Sequence, residues 1–138
     1  MKCILVVLLI AIMAIGMPFA DASANGYISK VWWPEGVFYK NADKVKVIVE
    51  IKNSGSKANE FWVGFSVRGP DGEWKDVEPQ SAYLPKGEKT QMKFNWRVTR
   101  DAPRGAYDAT VALWEDYDGS SMIGELDRKT KNKAFKIK

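Results

Sequence analysis

The tryptophans are the residues of this chain that most clearly suggest binding chemistry. In residues 61–67 and 106–114, apolar side chains recur at every second position, as they do in a strand with one buried face. Trp62 and Trp114 have the opposite parity, so both indoles are predicted to point away from the core. Their strands would be neighbours in one sheet, and the two indoles would form a flat apolar patch, which often marks a binding surface. The alternative is that a loop, or the segment Trp32-Trp33, covers them.

Trp32 and Tyr117 are further candidates for ligand binding. Trp32 and Trp33 are consecutive, and consecutive residues of an extended segment point to opposite faces, so only one of them can pack inward. Tyr117 lies in a charged segment shortly after Trp114. Indole faces stack on sugar rings and also anchor protein interfaces. The candidate binding residues are therefore Trp62, Trp114, Trp32 and Tyr117.

A second pattern partly matches a calcium-binding loop. Asp116 and Asp118 precede Gly119, and Glu125 follows that glycine by six residues. The first ligand position would be Trp114, however, and no flanking helices are predicted. A hairpin loop made soluble by its charges explains the same residues. We therefore expect no metal and keep Asp116, Asp118 and Glu125 only as weak calcium candidates.

Groups that would support catalysis are scarce. The chain has no histidine, and its single cysteine, Cys3, precedes the predicted domain. Adjacent carboxylates occur at Glu115 and Asp116, but in a charged loop without signs of a pocket that would raise a pKa. We expect a protein that is not an enzyme and uses no cofactor.

The first 24 residues are predicted to be a signal peptide. Lys2 precedes an apolar run, and small residues follow that suit cleavage after Ala22 or Ala24. A retained membrane anchor is the alternative, because the apolar stretch 3–20 is at the lower limit for spanning a bilayer. Residues 25–138 would then form one domain, secreted or at the cell surface, that contacts a membrane only through an uncleaved leader.

The domain reads as an all-β protein. Val45, Val47, Val49 and Ile51 alternate with polar residues, which predicts a half-buried strand that needs a second layer. About seven short strands separated by turns indicate a two-sheet antiparallel sandwich. The expected extended segments are 27–33, 37–39, 44–52, 61–68, 74–77, 90–98, 106–114 and 131–138, with an irregular connection at 80–84 and a loop at 115–124.

A run in the second half of the chain resembles a known family. Pro103-x-Gly105-x-Tyr107, followed by alternating small and apolar residues, looks like the strand of immunoglobulin-like domains that carries the tyrosine corner. Together with the 45–55 segment it resembles the cell-adhesion-related (CARDB-like) or fibronectin type III-like domains of secreted bacterial and archaeal proteins. The resemblance implies a binding or structural role. The disulfide of antibody domains is absent, and Val49 or Ile51 with Val111 would fill its place.

The sequence thus favours a non-catalytic interaction or adhesion module with an extracellular protein or glycan as partner. Self-association is one version, in which the arm 25–39 adds as a strand to a neighbouring subunit. A carbohydrate-binding module or a passive spacer are the alternatives. Net charge is +4, with both signs mixed along the chain, so no nucleic-acid partner is expected.

Overall fold

The computed structural model describes residues 24–138, which contain nine β-strands and no helix. The predicted leader, apart from Ala24, lies outside this range. None of the described residues belongs to a helix long and apolar enough to cross a membrane. The strands are β1 (Gly26–Trp32), β2 (Val37–Phe38), β3 (Lys44–Asn53), β4 (Asn59–Arg68), β5 (Trp74–Asp76), β6 (Gln80–Leu84), β7 (Lys89–Arg97), β8 (Gly105–Tyr117) and β9 (Met122–Ile137).

The strands form two sheets, which confirms the predicted all-β, two-sheet architecture. The smaller sheet has the order β1-β3-β7, and the larger has the order β2-β9-β8-β4-β5. Strand β6 also pairs with β4, so that β5 and β6 occupy successive stretches of one β4 edge. Pairing is antiparallel except between β2 and β9, which run parallel.

The core lies between the sheets and follows the period-two pattern. The alternating apolar residues of β3 and β4 are almost completely buried, as are those of the central part of β8. Complete burial of such a side chain contributes roughly 1.5–3 kcal/mol. Trp96 is half-buried and packs against this core, with its ring 5.6 Å from that of Tyr107. The buried residues of β3 and β4 are Val45, Val47, Val49, Ile51, Phe61, Val63, Phe65 and Val67.

Tyr107 forms the tyrosine corner that the resemblance implies. Its side chain is fully buried, and its hydroxyl donates a hydrogen bond of 2.6 Å to the carbonyl oxygen of Pro103. The ring lies against Gly69, where an added Cβ would come within 2.6 Å of it. Burial raises the pKa of Tyr107 to about 12, and the carboxylate of Asp71 adds to that shift.

The described residues form nine strands rather than about seven, because the short segment Val37–Phe38 is a strand of its own, β2, and the segment 80–84 is the strand β6 rather than an irregular connection. Pro79 and Pro85 flank this strand without interrupting it, so the five residues between them keep their backbone N–H groups. Those residues pair with β4 from Asn59 to Val63.

The predicted loop 115–124 is also mostly strand. Strand β8 continues to Tyr117 and β9 begins at Met122, so only residues 118–121 connect them. The closing strand therefore begins nine residues before the predicted start at Lys131. Much of β9 is exposed, and its ladder with β8 depends on backbone hydrogen bonds, which need no apolar periodicity.

Candidate ligand-binding groove

Trp62 and Trp114 lie directly opposite each other on β4 and β8. Both have the outward parity predicted from the sequence, and both are half-buried. The ring of Trp62 packs against that of Tyr117, with centroids 4.7 Å apart. The Tyr117 hydroxyl in turn donates to the carbonyl of Gly119 at 3.0 Å. The structure therefore brings three of the four candidate binding residues together on the outer face of the larger sheet.

The sequence predicts a flat patch here, but this face is recessed. Ala112 and Thr110 have outward parity but are only 2% and 7% exposed, because larger side chains rise on either side of them. The result is a groove of about 430 Å³ whose walls include Trp74, Trp114 and Tyr117. Small and hydroxyl-bearing residues form its floor, namely Gly64, Ser66, Thr110 and Ala112.

Gly64 makes room for the indole of Trp114. A Cβ built at Gly64 would lie 3.1 Å from Cζ3 of Trp114, which is tighter than most contacts of that kind. Gly64 also pairs with Ala112 in the ladder between β4 and β8. The position of the Trp114 ring therefore depends on a residue without a side chain at the centre of a strand.

Trp74 is a wall residue that the sequence did not identify as functional. It is 43% exposed on the short strand β5, at the edge of the larger sheet. The guanidinium carbon of Arg68 lies 4.6 Å from the Trp74 ring centroid, a cation–π contact. Trp74 pairs with Arg68 across the turn 69–73. Arg68 has outward parity, and a hairpin at the turn 69–73 would place Trp74 opposite it. This pairing is the signal that could have located Trp74 on the outer face.

Asp108 holds this part of the groove in place. It accepts hydrogen bonds from the backbone N–H of Lys133 at 2.8 Å and from the Arg68 guanidinium at 2.9 and 3.3 Å. The backbone donor at Lys133 and then Arg68 lower the pKa of Asp108. Arg68 also stacks on Trp74. Contacts from β4, β8 and β9 therefore fix the orientation of this wall residue.

A β-bulge in β9 places two opposite charges on the groove side. Leu113 pairs with Asp127 and Trp114 with Glu125, which leaves Leu126 as the extra residue. In a regular strand, residues three apart point to opposite faces. Across the bulge, Arg128 reaches Glu125 with bonds of 3.0 and 2.5 Å, and its guanidinium carbon lies 5.8 Å from the Trp114 centroid.

Asp76 supplies the carboxylate of the groove. Its Oδ1 accepts a hydrogen bond of 2.5 Å from the Ser66 hydroxyl. Within residues 24–138, its Oδ2 has no hydrogen-bond partner. Asp76 is exposed, so this oxygen can accept a hydrogen bond from a ligand.

Trp32 does not belong to the groove. It lies on β1 of the smaller sheet, 37% exposed, with the Lys30 ammonium 4.5 Å from its ring centroid. The alternative in which the Trp32-Trp33 segment covers the other two indoles is wrong for the same reason. A shallower hollow on that side is lined by Trp32, Trp33 and Phe38 with two lysines.

The weak calcium candidates do not converge. Asp118 Oδ1 accepts from the backbone N–H groups of Ser121 and Ser120, and these bonds lower the pKa of Asp118. Glu125 is engaged by Arg128. Among the residues that the structure describes, no three acidic, histidine or cysteine side chains form a group suited to a metal ion.

Comparison with known proteins supports the fold. No family model matches the sequence, and no curated protein matches it significantly. Solved structures do match: the CARDB domain of a Pyrococcus furiosus protein, solved in complex with di-metal ions, has a TM-score of 0.54 and 16% identity. That match covers 83% of this chain and 93% of the CARDB domain. The described residues thus have the immunoglobulin-like fold of a CARDB domain.

Two other similarities show how widely this fold occurs. The C-terminal domain of wzt has a TM-score of 0.56 at 12% identity, over 79% of this chain and 77% of that domain. A β-glucosidase from Listeria innocua in complex with glucose has a TM-score of 0.56 at 11% identity. That match covers 83% of this chain but only 16% of the enzyme. At such identities the similarity concerns the fold alone.

Proposed function

We propose that this chain is a non-catalytic binding module that acts outside the cytoplasm, secreted or at the cell surface, and that the groove holds its ligand. The observation that carries the proposal is the recessed floor between Trp74 and Trp114 on the outer face of the larger sheet. A fold shared with a CARDB domain fits an adhesion-related module. The predicted leader accounts for the location.

The chemistry of the groove supports binding rather than catalysis. General acid–base catalysis needs at least one group that exchanges a proton near neutral pH and a second group positioned opposite it. The charged side chains that line the groove are Asp76 and Arg128, and arginine stays protonated. The sequence contains no histidine that could supplement them.

Self-association by strand addition makes a different demand on the structure. In the described residues, the arm is already paired within the chain, β1 with β3 and β2 with β9. Exchange between subunits would require these ladders to open. Sedimentation at high concentration tests this version of the proposal, and a strict monomer argues against it.

Co-sedimentation with washed bacterial and archaeal cell-envelope preparations tests the groove. The purified protein is expected to bind at least one preparation, and Trp74→Ala is expected to weaken that binding roughly tenfold or more, as truncation of an aromatic anchor does. Trp32→Ala is the matched control, because it removes an indole of similar exposure from the other sheet. Equal binding by both variants would contradict the proposal, and so would the absence of binding to every preparation, which would favour a passive spacer.

A further inference from the structure

We infer that the groove binds a neutral, hydroxyl-rich glycan chain. This inference rests on the proposed function and names the ligand class for the same groove. It follows from the size of the groove, from the faces its aromatic rings present and from the balance of its charges.

The dimensions suit a narrow ligand. The groove of about 430 Å³ is within the range of roughly 300–1,000 Å³ that is usual for small-ligand sites. A stable protein partner would bury on the order of 800 Å² on each side and would need a broad, complementary face. Here the smallest residues, Gly64 and Ala112, lie at the bottom of the groove, and large aromatic side chains lie beside them. A chain of sugar rings is thin enough to enter such a recess.

The aromatic walls present surfaces for sugar rings. One face of a pyranose carries mainly C–H groups with small positive partial charges, and an indole face is electron-rich. Trp74 is 43% exposed and lines the groove, with Arg68 stacked at 4.6 Å on its ring. Because Arg68 occupies one face of this indole, the second face is left for the groove. The cation also keeps the ring from rotating freely, which reduces the entropy lost on binding.

The polar groups provide both donors and acceptors without a strong net charge. Asp76 offers a free carboxylate oxygen, and Arg128 offers guanidinium N–H groups beyond those bonded to Glu125. Hydroxyl groups can both donate and accept, so they satisfy this mixed set. A polyanion would meet the carboxylate of Asp76, and the one guanidinium among the described residues that line the groove, that of Arg128, is already paired with Glu125. This arrangement disfavours acidic polysaccharides in the groove.

The test uses soluble neutral polysaccharides, namely β-glucan, mannan, galactan and xylan, in affinity electrophoresis and tryptophan-fluorescence titration. At least one polymer is expected to retard the protein and change its fluorescence. Trp74→Ala and Trp114→Ala are expected to weaken binding at least tenfold, and Trp32→Ala to leave it unchanged. Alginate in 0.5 M salt serves as the polyanion and is expected not to bind through the groove, since salt screens the attraction to the net charge of +4.

Gly64→Ala is a second variant that keeps every aromatic ring. Its Cβ would press on Trp114, which is half-buried and can shift, so the fold should persist while the wall moves. We expect weaker glycan binding with an unfolding midpoint in urea close to that of the wild type. This variant keeps the inference testable if Trp114→Ala fails to fold. The inference would be overturned if Gly64→Ala and Trp74→Ala both bound glycan as strongly as the wild type does.

Treatment of the envelope preparations separates this inference from the proposed function. If periodate oxidation of the sugars abolishes groove-dependent sedimentation and protease digestion does not, the glycan assignment is supported. If protease abolishes it and periodate does not, the ligand is a protein, and the glycan assignment fails while the binding function stands. If untreated envelopes and all polysaccharides fail to bind, both are refuted.

Discussion

Replacing Tyr107 by phenylalanine tests whether the tyrosine corner stabilises this domain as the geometry indicates. The substitution removes one hydrogen bond of 2.6 Å to the Pro103 carbonyl and leaves the buried ring in place. A net hydrogen bond contributes about 0.5–1.5 kcal/mol, and an acceptor left unpaired in a fully buried site costs more. Pro103 is half-exposed, so water can reach its carbonyl and the added penalty is small. We expect a loss of about 1–2 kcal/mol.

Urea denaturation followed by tryptophan fluorescence measures this loss, and thermal unfolding should show a midpoint lower by roughly 4–8 °C. Tyr83→Phe is the matched control, because Tyr83 is 66% exposed and its hydroxyl makes no hydrogen bond within residues 24–138. The control should change stability by less than about 0.5 kcal/mol. If Tyr107→Phe lost no more than Tyr83→Phe, the assigned role of the Tyr107 hydroxyl would be refuted.

Tyr107→Phe also tests how the stability of the fold changes at alkaline pH. The phenol ionises near pH 10 in the unfolded chain, whereas the pKa of Tyr107 in the fold is about 12. The fold therefore favours the neutral phenol, and this contribution is complete below pH 10 and is lost as the pH rises towards 12. Wild-type protein should lose more stability over that interval than Tyr107→Phe. Parallel curves for the two proteins would contradict the prediction, since the titration of lysines affects both alike.

Two further substitutions test polar groups elsewhere in the fold. The fully buried Asn53 donates to the carbonyl of Leu84 at 2.9 Å, so Asn53→Ala should cost about 2–4 kcal/mol in urea denaturation, and a loss below 1 kcal/mol would contradict its role. The backbone N–H of Lys133 and the Arg68 guanidinium lower the pKa of Asp108 in the fold. The ionised carboxylate therefore stabilises the fold at a pH above the unfolded pKa of about 3.9. This contribution is lost as the pH falls through the lower pKa of the folded state. Asp108→Asn should therefore lose less stability than the wild type between pH 5 and pH 2, and equal losses would show that Asp108 does not contribute to the acid dependence.

Part of the candidate site could be predicted because it depends on strand parity. The outward positions of Trp62 and Trp114 follow from the side-chain period of two, and the structure places both on neighbouring strands. Their common surface with Tyr117 was not predicted, because Tyr117 reaches it at the end of a strand longer than the pattern indicated. Trp32 has the same residue type and similar local cues, yet it lies on the other sheet.

The sequence by itself determined the sandwich and its core. Every second residue of the central strands is apolar, and a pleated strand can bury such a set only against a second layer. The Pro-x-Gly-x-Tyr run likewise determined the corner at Tyr107, because the hydrogen bond to Pro103 is local in the chain.

Only the tertiary structure decided the shape and charge of the groove. Glu125 and Arg128 share a face because Leu126 forms a bulge against β8, and no local pattern marks that bulge. Trp74 becomes a wall because β5 folds back beside Arg68, which Asp108 holds from a different strand. These positions depend on register between distant segments, and backbone ladders fix register without leaving a periodic signal in either strand.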